Sequence, residues 1–193
     1  MDDETARDQV VTAADRLFYA HGVHAVGMDA VRAEAQVSLK RIYSLFPSKD
    51  DLVVAVLHHR TEQWATGLEA AVRAAATPRD RLLAVFDFLD AWFREDDFRG
   101  CAFINSFGEL GATSPAVAEA VRAQKAAFQE YVLGLVREEG LPDVVAAQLA
   151  ILAEGAQTTA AISGDPAAAA QAREAAAVLV DAALARGEHA STV

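Results

Sequence analysis

Apolar residues recur at helical spacing through almost the whole chain, and where the spacing breaks a capping or breaking residue stands at the break. Val10, Ala14, Leu17, Phe18 and His21 share one face of a first predicted helix over 5–21, stopped by Gly22. Met28, Val31 and Ala35 define a second over 28–35. Gln36-Val37 interrupts it, and Ser38 caps a short third helix that turns Ile42 inward before Phe46-Pro47 closes it. Ser48 with Asp51 three residues on forms a capping box for a fourth helix over 48–74, whose long apolar side carries Leu52, Val53, Val56, Leu57, Trp64, Leu68 and Val72. Thr77-Pro78, Ser114-Pro115 and Asp165-Pro166 each place a capping side chain before a first-turn proline, while Gly140, Gly164 and Gly187 mark stops. Helices are therefore predicted over 78–94, about 102–110, 115–139, 142–163 and 166–186, with residues 188–193 as a disordered tail. The fold class is all-α, with about nine helices and no strand pattern or repeat.

The second and third helices are separated by too few residues to be independent, which makes residues 28–49 a helix-turn-helix. Ser38, Leu39, Lys40, Arg41 and Ser44 point outward from its second helix, with Tyr43 on the flank and Lys49 just beyond the end. No acidic residue interrupts the run from Gln36 to Lys49. A helix that enters a major groove must neutralise phosphates and offer side chains to base edges. Lys40, Arg41 and Lys49 can do the first, Lys40 and Arg41 can pair with guanine, and Ser38 and Ser44 are short enough to permit close approach. The amides at Ser48 face outward for a further phosphate. The competing reading is a solvated face of an ordinary helical hairpin.

The net charge of −11 does not favour nucleic acid. Up to position 65 there are seven basic and ten acidic residues, and beyond it ten and eighteen. The case for DNA thus rests on where the basic side chains sit, and nonspecific binding should be weak. There is no apolar run long enough to span a bilayer and no basic-then-apolar leader at the start, so a cytoplasmic protein is expected. The single Cys101 cannot form an internal disulfide. It reads as a small buried residue of a pocket wall, or as a redox-sensing thiol.

Val37-Ser38, Ile42-Tyr43, Ser44-Leu45-Phe46, Pro47-Ser48-Lys49 and Leu52 together resemble the TetR family of bacterial transcriptional repressors, over residues 10 to about 57. The resemblance implies that Tyr43 and Lys49 contact phosphates and that residues 38–44 are the groove-reading helix. The chain departs from the family pattern at Gln36, where a turn glycine is expected, at Val26-Gly27, where threonine and a serine or threonine cap are common, and at Arg32 and Leu45. A left-handed Gln36 would carry strain on the order of 1 kcal/mol.

The resemblance further implies a DNA-binding domain over 1–50 and a ligand-binding and dimerisation domain over 51–187, the fourth helix joining the two. A small apolar or aromatic inducer would lie among Trp64, Phe86, Leu89, Trp92, Phe93, Phe103, Phe107 and Phe128, oriented by polar groups drawn from Asn105, Ser106, Glu109 and Gln124. For any single aromatic residue, packed core is the competing reading. Small-residue faces on the last two helices, with Val144, Leu149, Leu152, Ala153 and Ala156 on one and Ala172, Ala175, Ala176, Leu179, Ala183 and Leu184 on the other, suggest a homodimer through a four-helix bundle. Partners are therefore a double-stranded DNA operator, a small-molecule inducer and a second copy, with no membrane.

No cofactor and no metal are expected. His58 and Glu62 lie one turn apart but lack a third ligand, and Ser163-Gly164-Asp165 reads as a turn without a histidine near it. The chain is accordingly expected to be a ligand-responsive transcriptional regulator, a repressor, and not an enzyme. The alternatives are a helical small-molecule-binding protein without DNA activity and a metal-dependent enzyme.

Overall fold

The structure, a computed structural model, describes residues 2–190, with side chains as far as residue 186. Among them are the helices α1 (Asp3–His21), α2 (Met28–Ala35), α3 (Leu39–Leu45), α4 (Lys49–Ala74), α5 (Pro78–Phe93), α6 (Ala102–Leu110), α7 (Pro115–Glu138), α8 (Val144–Ser163) and α9 (Ala167–Ala190), and no strand. The expected starts hold because the capping groups are made. The Thr77 hydroxyl accepts from Asp80 N at 3.0 Å, Ser114 Oγ from Val117 N at 3.4 Å, and Asp165 Oδ1 from Ala167 N at 2.9 Å. Several other ends differ from expectation. α1 begins at Asp3 rather than Thr5, because the Asp2 carboxylate caps it by accepting from Thr5 N at 2.8 Å. Asp143 forms a turn, so α8 begins at Val144, and α9 begins at Ala167 and runs through Gly187 to Ala190. The tail expected from 188 is thus helical as far as 190, and its remainder lies outside the described residues.

The chain divides into two compact units. One comprises the residues up to Gln63 with Cys101–Gln124, the other Trp64–Gly100 with the residues from Lys125 on. These compact units do not follow a single cut in the sequence. α6 places Phe103, Ser106 and Leu110 on one buried face at helical spacing, and this face belongs to the first unit. Cys101, Phe103, Leu110, Val117 and Val121 share a core there with Val10, Ala14, Phe18, Val31, Ile42, Phe46, Leu52 and Leu57. Cys101 is therefore a buried core residue of this unit. Each fully buried Leu, Ile or Phe contributes roughly 1.5–3 kcal/mol.

In the second unit α5, α8 and α9 pack on one another. Leu82, Phe86, Leu89 and Phe93 meet an alanine-rich surface that includes Ala153, Ala169 and Ala176, residues small enough to let helix axes approach. Leu149, Ala153, Ala156, Ala172, Ala176 and Ala183, expected on a dimer face, are instead buried inside this unit. The helix faces that remain outward carry Val144, Ile151 and Ile162 on α8 and Val178 on α9, at 61%, 71%, 83% and 69% exposure. A paired guanidinium and carboxylate, Arg79 and Asp181, ties α5 to α9 at 2.7 and 2.9 Å, and this hydrogen bonding holds Asp181 below its ordinary carboxylate range.

Candidate nucleic-acid interface

α3 is only seven residues long, so its position depends on what anchors it. Ser38 caps it through an Oγ that accepts from Arg41 N at 3.3 Å, Ile42 is fully buried beneath it, and Phe46 N donates to Ile42 O at 2.8 Å where it ends. Phe46 is itself buried, with the Arg7 guanidinium 4.5 Å from its ring centre and Arg7 Nη1 donating to Leu45 O. α1 thus holds the far end of α3. The turn before it is tight enough that Gln36 adopts φ 55° and ψ 31°, the one left-handed residue other than glycine among those described. Gly27 precedes α2 without any side-chain cap.

This leaves Ser38, Lys40, Tyr43 and Ser44 exposed along one side of α3, with Leu39 half-buried. Tyr43 is 46% exposed, a large amphipathic ring in water that contributes little to the core. Ser44 Oγ donates to Arg41 O at 2.7 Å, which folds that hydroxyl back on the helix. Arg41 is ion-paired with Asp3 of α1, so its guanidinium is shared with a carboxylate before any base is offered.

Two of the residues expected to meet phosphates have other partners. Ser48 N and Oγ donate to Asp51 Oδ2 at 3.0 and 2.7 Å while Asp51 N donates back to Ser48 Oγ at 3.1 Å, the reciprocal capping box the spacing predicts. Lys49 does not reach outward. Its ammonium donates to Val23 O and Val26 O, both at 2.6 Å, and lies 5.8 Å from the Phe18 ring centre. The carbonyls of the loop from α1 to α2 are a closer demand on the charge than a phosphate. In the free chain Lys49 is a staple of the helix-turn-helix.

The residues expected to line one ligand site are divided. Trp64, Phe86, Leu89, Trp92, Phe93 and Phe128 lie in the second unit, where Trp64 meets Phe88 and Phe128 edge-on at 5.8 and 5.1 Å and Trp92 meets Phe98 at 5.1 Å. Phe86, Leu89, Phe93 and Phe128 are buried core, and Trp64 and Trp92 keep half-buried faces. Phe103, Asn105, Phe107 and Glu109 belong to α6 and hence to the first unit. Phe103 is core there, and Phe107 is 44% exposed with Arg122 at 6.0 Å from its ring. Glu109 is a structural clamp. Its carboxylate accepts from Val23 N at 3.0 Å and His24 N at 2.7 Å and faces His24 Nδ1 at 3.3 Å. Sequence reasoning missed this clamp because its partners are 86 and 85 residues away.

Comparison with known proteins divides the chain along its sequence, and the second match runs through Cys101–Gln124 of the first compact unit. Residues 10–56 match the sequence model described as "Bacterial regulatory proteins, tetR family", and residues 78–176 match "Tetracyclin repressor-like, C-terminal domain". The HTH-type transcriptional activator FasR of Mycolicibacterium smegmatis is 35% identical over 137 residues, which is 70% of this chain and 61% of that relative. The chain thus spans about three fifths of the length of this curated relative. Among solved structures, a TetR-family transcriptional regulator from Streptomyces coelicolor superposes with a TM-score of 0.80 at 31% identity, over 95% of this chain and 96% of that one. A TetR transcriptional regulator from Chloroflexus aurantiacus shares the fold, with a TM-score of 0.79 at 23% identity over 93% and 96% of the two chains.

Proposed function

The chain belongs to the TetR family of bacterial regulatory proteins, and from that premise we propose that it is a DNA-binding transcriptional regulator, a repressor released from its operator by a small molecule. The observation that carries this reading is the outward side of α3. A helix anchored by buried Ile42 and Phe46 presents Ser38, Lys40, Tyr43 and Ser44, with no acidic residue between 36 and 49. Lys40 and Tyr43 act on phosphates, and Arg41 reads a base after leaving Asp3. Two such helices are needed for a two-fold operator, with half-sites roughly 34–36 Å apart. The exposed apolar side of α8 and α9, Val144, Ile151, Ile162 and Val178, supports a homodimer, because such surface is costly to leave in water.

The inducer is apolar or aromatic and enters the second unit beside the half-buried faces of Trp64 and Trp92. It works by preferring the state that does not bind DNA, and a difference of about 1–3 kcal/mol is sufficient. We assign the chain no catalytic activity and place it in the cytoplasm with its DNA. No described helix is long and apolar enough to cross a membrane.

A gel shift with duplex DNA flanking the chain's own coding region, against an unrelated duplex of equal length, tests the reading. Retardation of the flanking duplex at clearly lower protein concentration is expected, and equal or absent retardation of both overturns it. The relative named above is an activator, so a promoter fusion read with and without the chain fixes the sign, loss of expression being the expected result.

A further inference from the structure

Within the first unit, between α1, α4 and α6, lies a cavity of about 140 Å³. Three polar side chains of α6, Asn105, Ser106 and Glu109, line it, but the remaining wall comes from α1 and α4 rather than from the aromatic cluster of the second unit. Phe18, Val53, Val56 and Leu57 supply an apolar side. Asp15 and Arg60 supply charge, and these two are paired with each other while the Arg60 guanidinium stacks on Tyr19 at 3.8 Å. Glu109 is also spoken for, by Val23 N, His24 N and the His24 ring. Ser106 differs from all of these. It is only 7% exposed, and no described residue hydrogen-bonds to its hydroxyl. The hydroxyl opens onto the cavity, so a ligand group can pair with it without displacing a partner from the protein.

Charge and size restrict what enters. An anion would face Asp15 and Glu109, and a cation would have to take Asp15 from Arg60, so the occupant is neutral. A cavity of this size compares with the roughly 150 Å³ apolar cavity that holds benzene. We propose that this cavity is a site for small neutral monocyclic phenols, the ring against Phe18, Val53, Val56 and Leu57 and the hydroxyl paired with Ser106. Because Glu109 both lines the cavity and holds the loop that leads into α2, an occupant bears on the geometry of the helix-turn-helix. Only this consequence rests on the DNA-binding reading; the binding itself does not.

The test is calorimetric titration of the full chain with phenol, with toluene as the matched ring that lacks a hydroxyl. Phenol should bind once per chain and more tightly than toluene. Ser106→Ala should weaken phenol about threefold to tenfold, the worth of one neutral hydrogen bond, and leave toluene unchanged. Ala102→Leu, which fills the cavity from its α6 wall, should abolish both. Removal of an unpaired hydroxyl from a helix should keep or raise the melting temperature of Ser106→Ala without phenol, so the variant stays interpretable. Absence of phenol binding to the folded wild type, or binding indifferent to both substitutions, overturns the assignment. If phenol binds as stated and the chain retards no DNA, the regulatory reading fails and the cavity assignment stands; DNA binding without phenol binding sinks the cavity assignment alone.

Discussion

Lys49 and Glu109 hold opposite poles of the same residue: the Lys49 ammonium donates to Val23 O at 2.6 Å, and Glu109 Oε1 accepts from Val23 N at 3.0 Å. The loop between α1 and α2 has few side chains able to satisfy its own backbone, so an α4 cation and an α6 anion do so instead. Gly22 makes room for this arrangement. Its φ of 84° is left-handed, and a Cβ there would come within 3.2 Å of Glu109 Oε1.

Glu109→Gln and Lys49→Met should therefore each lower stability by about 1–3 kcal/mol, the range for charge-assisted hydrogen bonds to backbone groups that are then left unpaired. Lys40→Ala, on the exposed side of α3, should stay within about 0.5 kcal/mol of wild type. Urea unfolding followed by circular dichroism separates the two classes. A Lys49→Met protein as stable as wild type would return Lys49 to the role of a free phosphate ligand.

Gln36 occupies a backbone region in which glycine is at ease. Gln36→Gly should raise stability by up to about 0.5 kcal/mol, the relief of roughly 1 kcal/mol of left-handed strain less the extra freedom of glycine in the unfolded chain. The same urea titration measures it, and a loss of stability would mean that the turn is not strained by its glutamine.

Ile151 stands 71% exposed on α8. If the outward side of α8 and α9 forms the proposed homodimer interface, Ile151→Arg should leave helix content unchanged and yield a monomer, because a charge buried in an apolar interface has no partner there. Sedimentation velocity reads the change. A dimer of unaltered affinity would place the interface on another face.

Much of this architecture was legible in the sequence because it is local. Helix starts follow from a capping side chain three residues before the amide it satisfies, as at Ser38, Ser48 and Thr77, and the left-handed Gln36 stands where the family resemblance expects a turn glycine. What the sequence hid depends on separations it does not encode. The helix over 102–110 was evident, but its membership of the first unit was not, and Glu109 read as a ligand group because its amide partners lie far away in sequence. The alanines of α8 and α9 offered several apolar faces at once, and only packing against α5 showed which of them was spent inside the unit. Lys49 illustrates the same limit, since a lysine stem long enough to reach a phosphate is also long enough to reach back to Val26 O.

Contact between the outward side of α3 and duplex DNA releases counterions, so the salt dependence of affinity reads it out. Fluorescence anisotropy with the flanking duplex should give log Kd rising with log salt concentration for the wild type. The slope should fall by roughly one unit in Lys40→Ala, with affinity lost alike on operator and random DNA. Arg41→Ala should lose roughly 1–3 kcal/mol, concentrated at one base position. A slope and an affinity that neither substitution alters would mean that α3 does not meet the DNA.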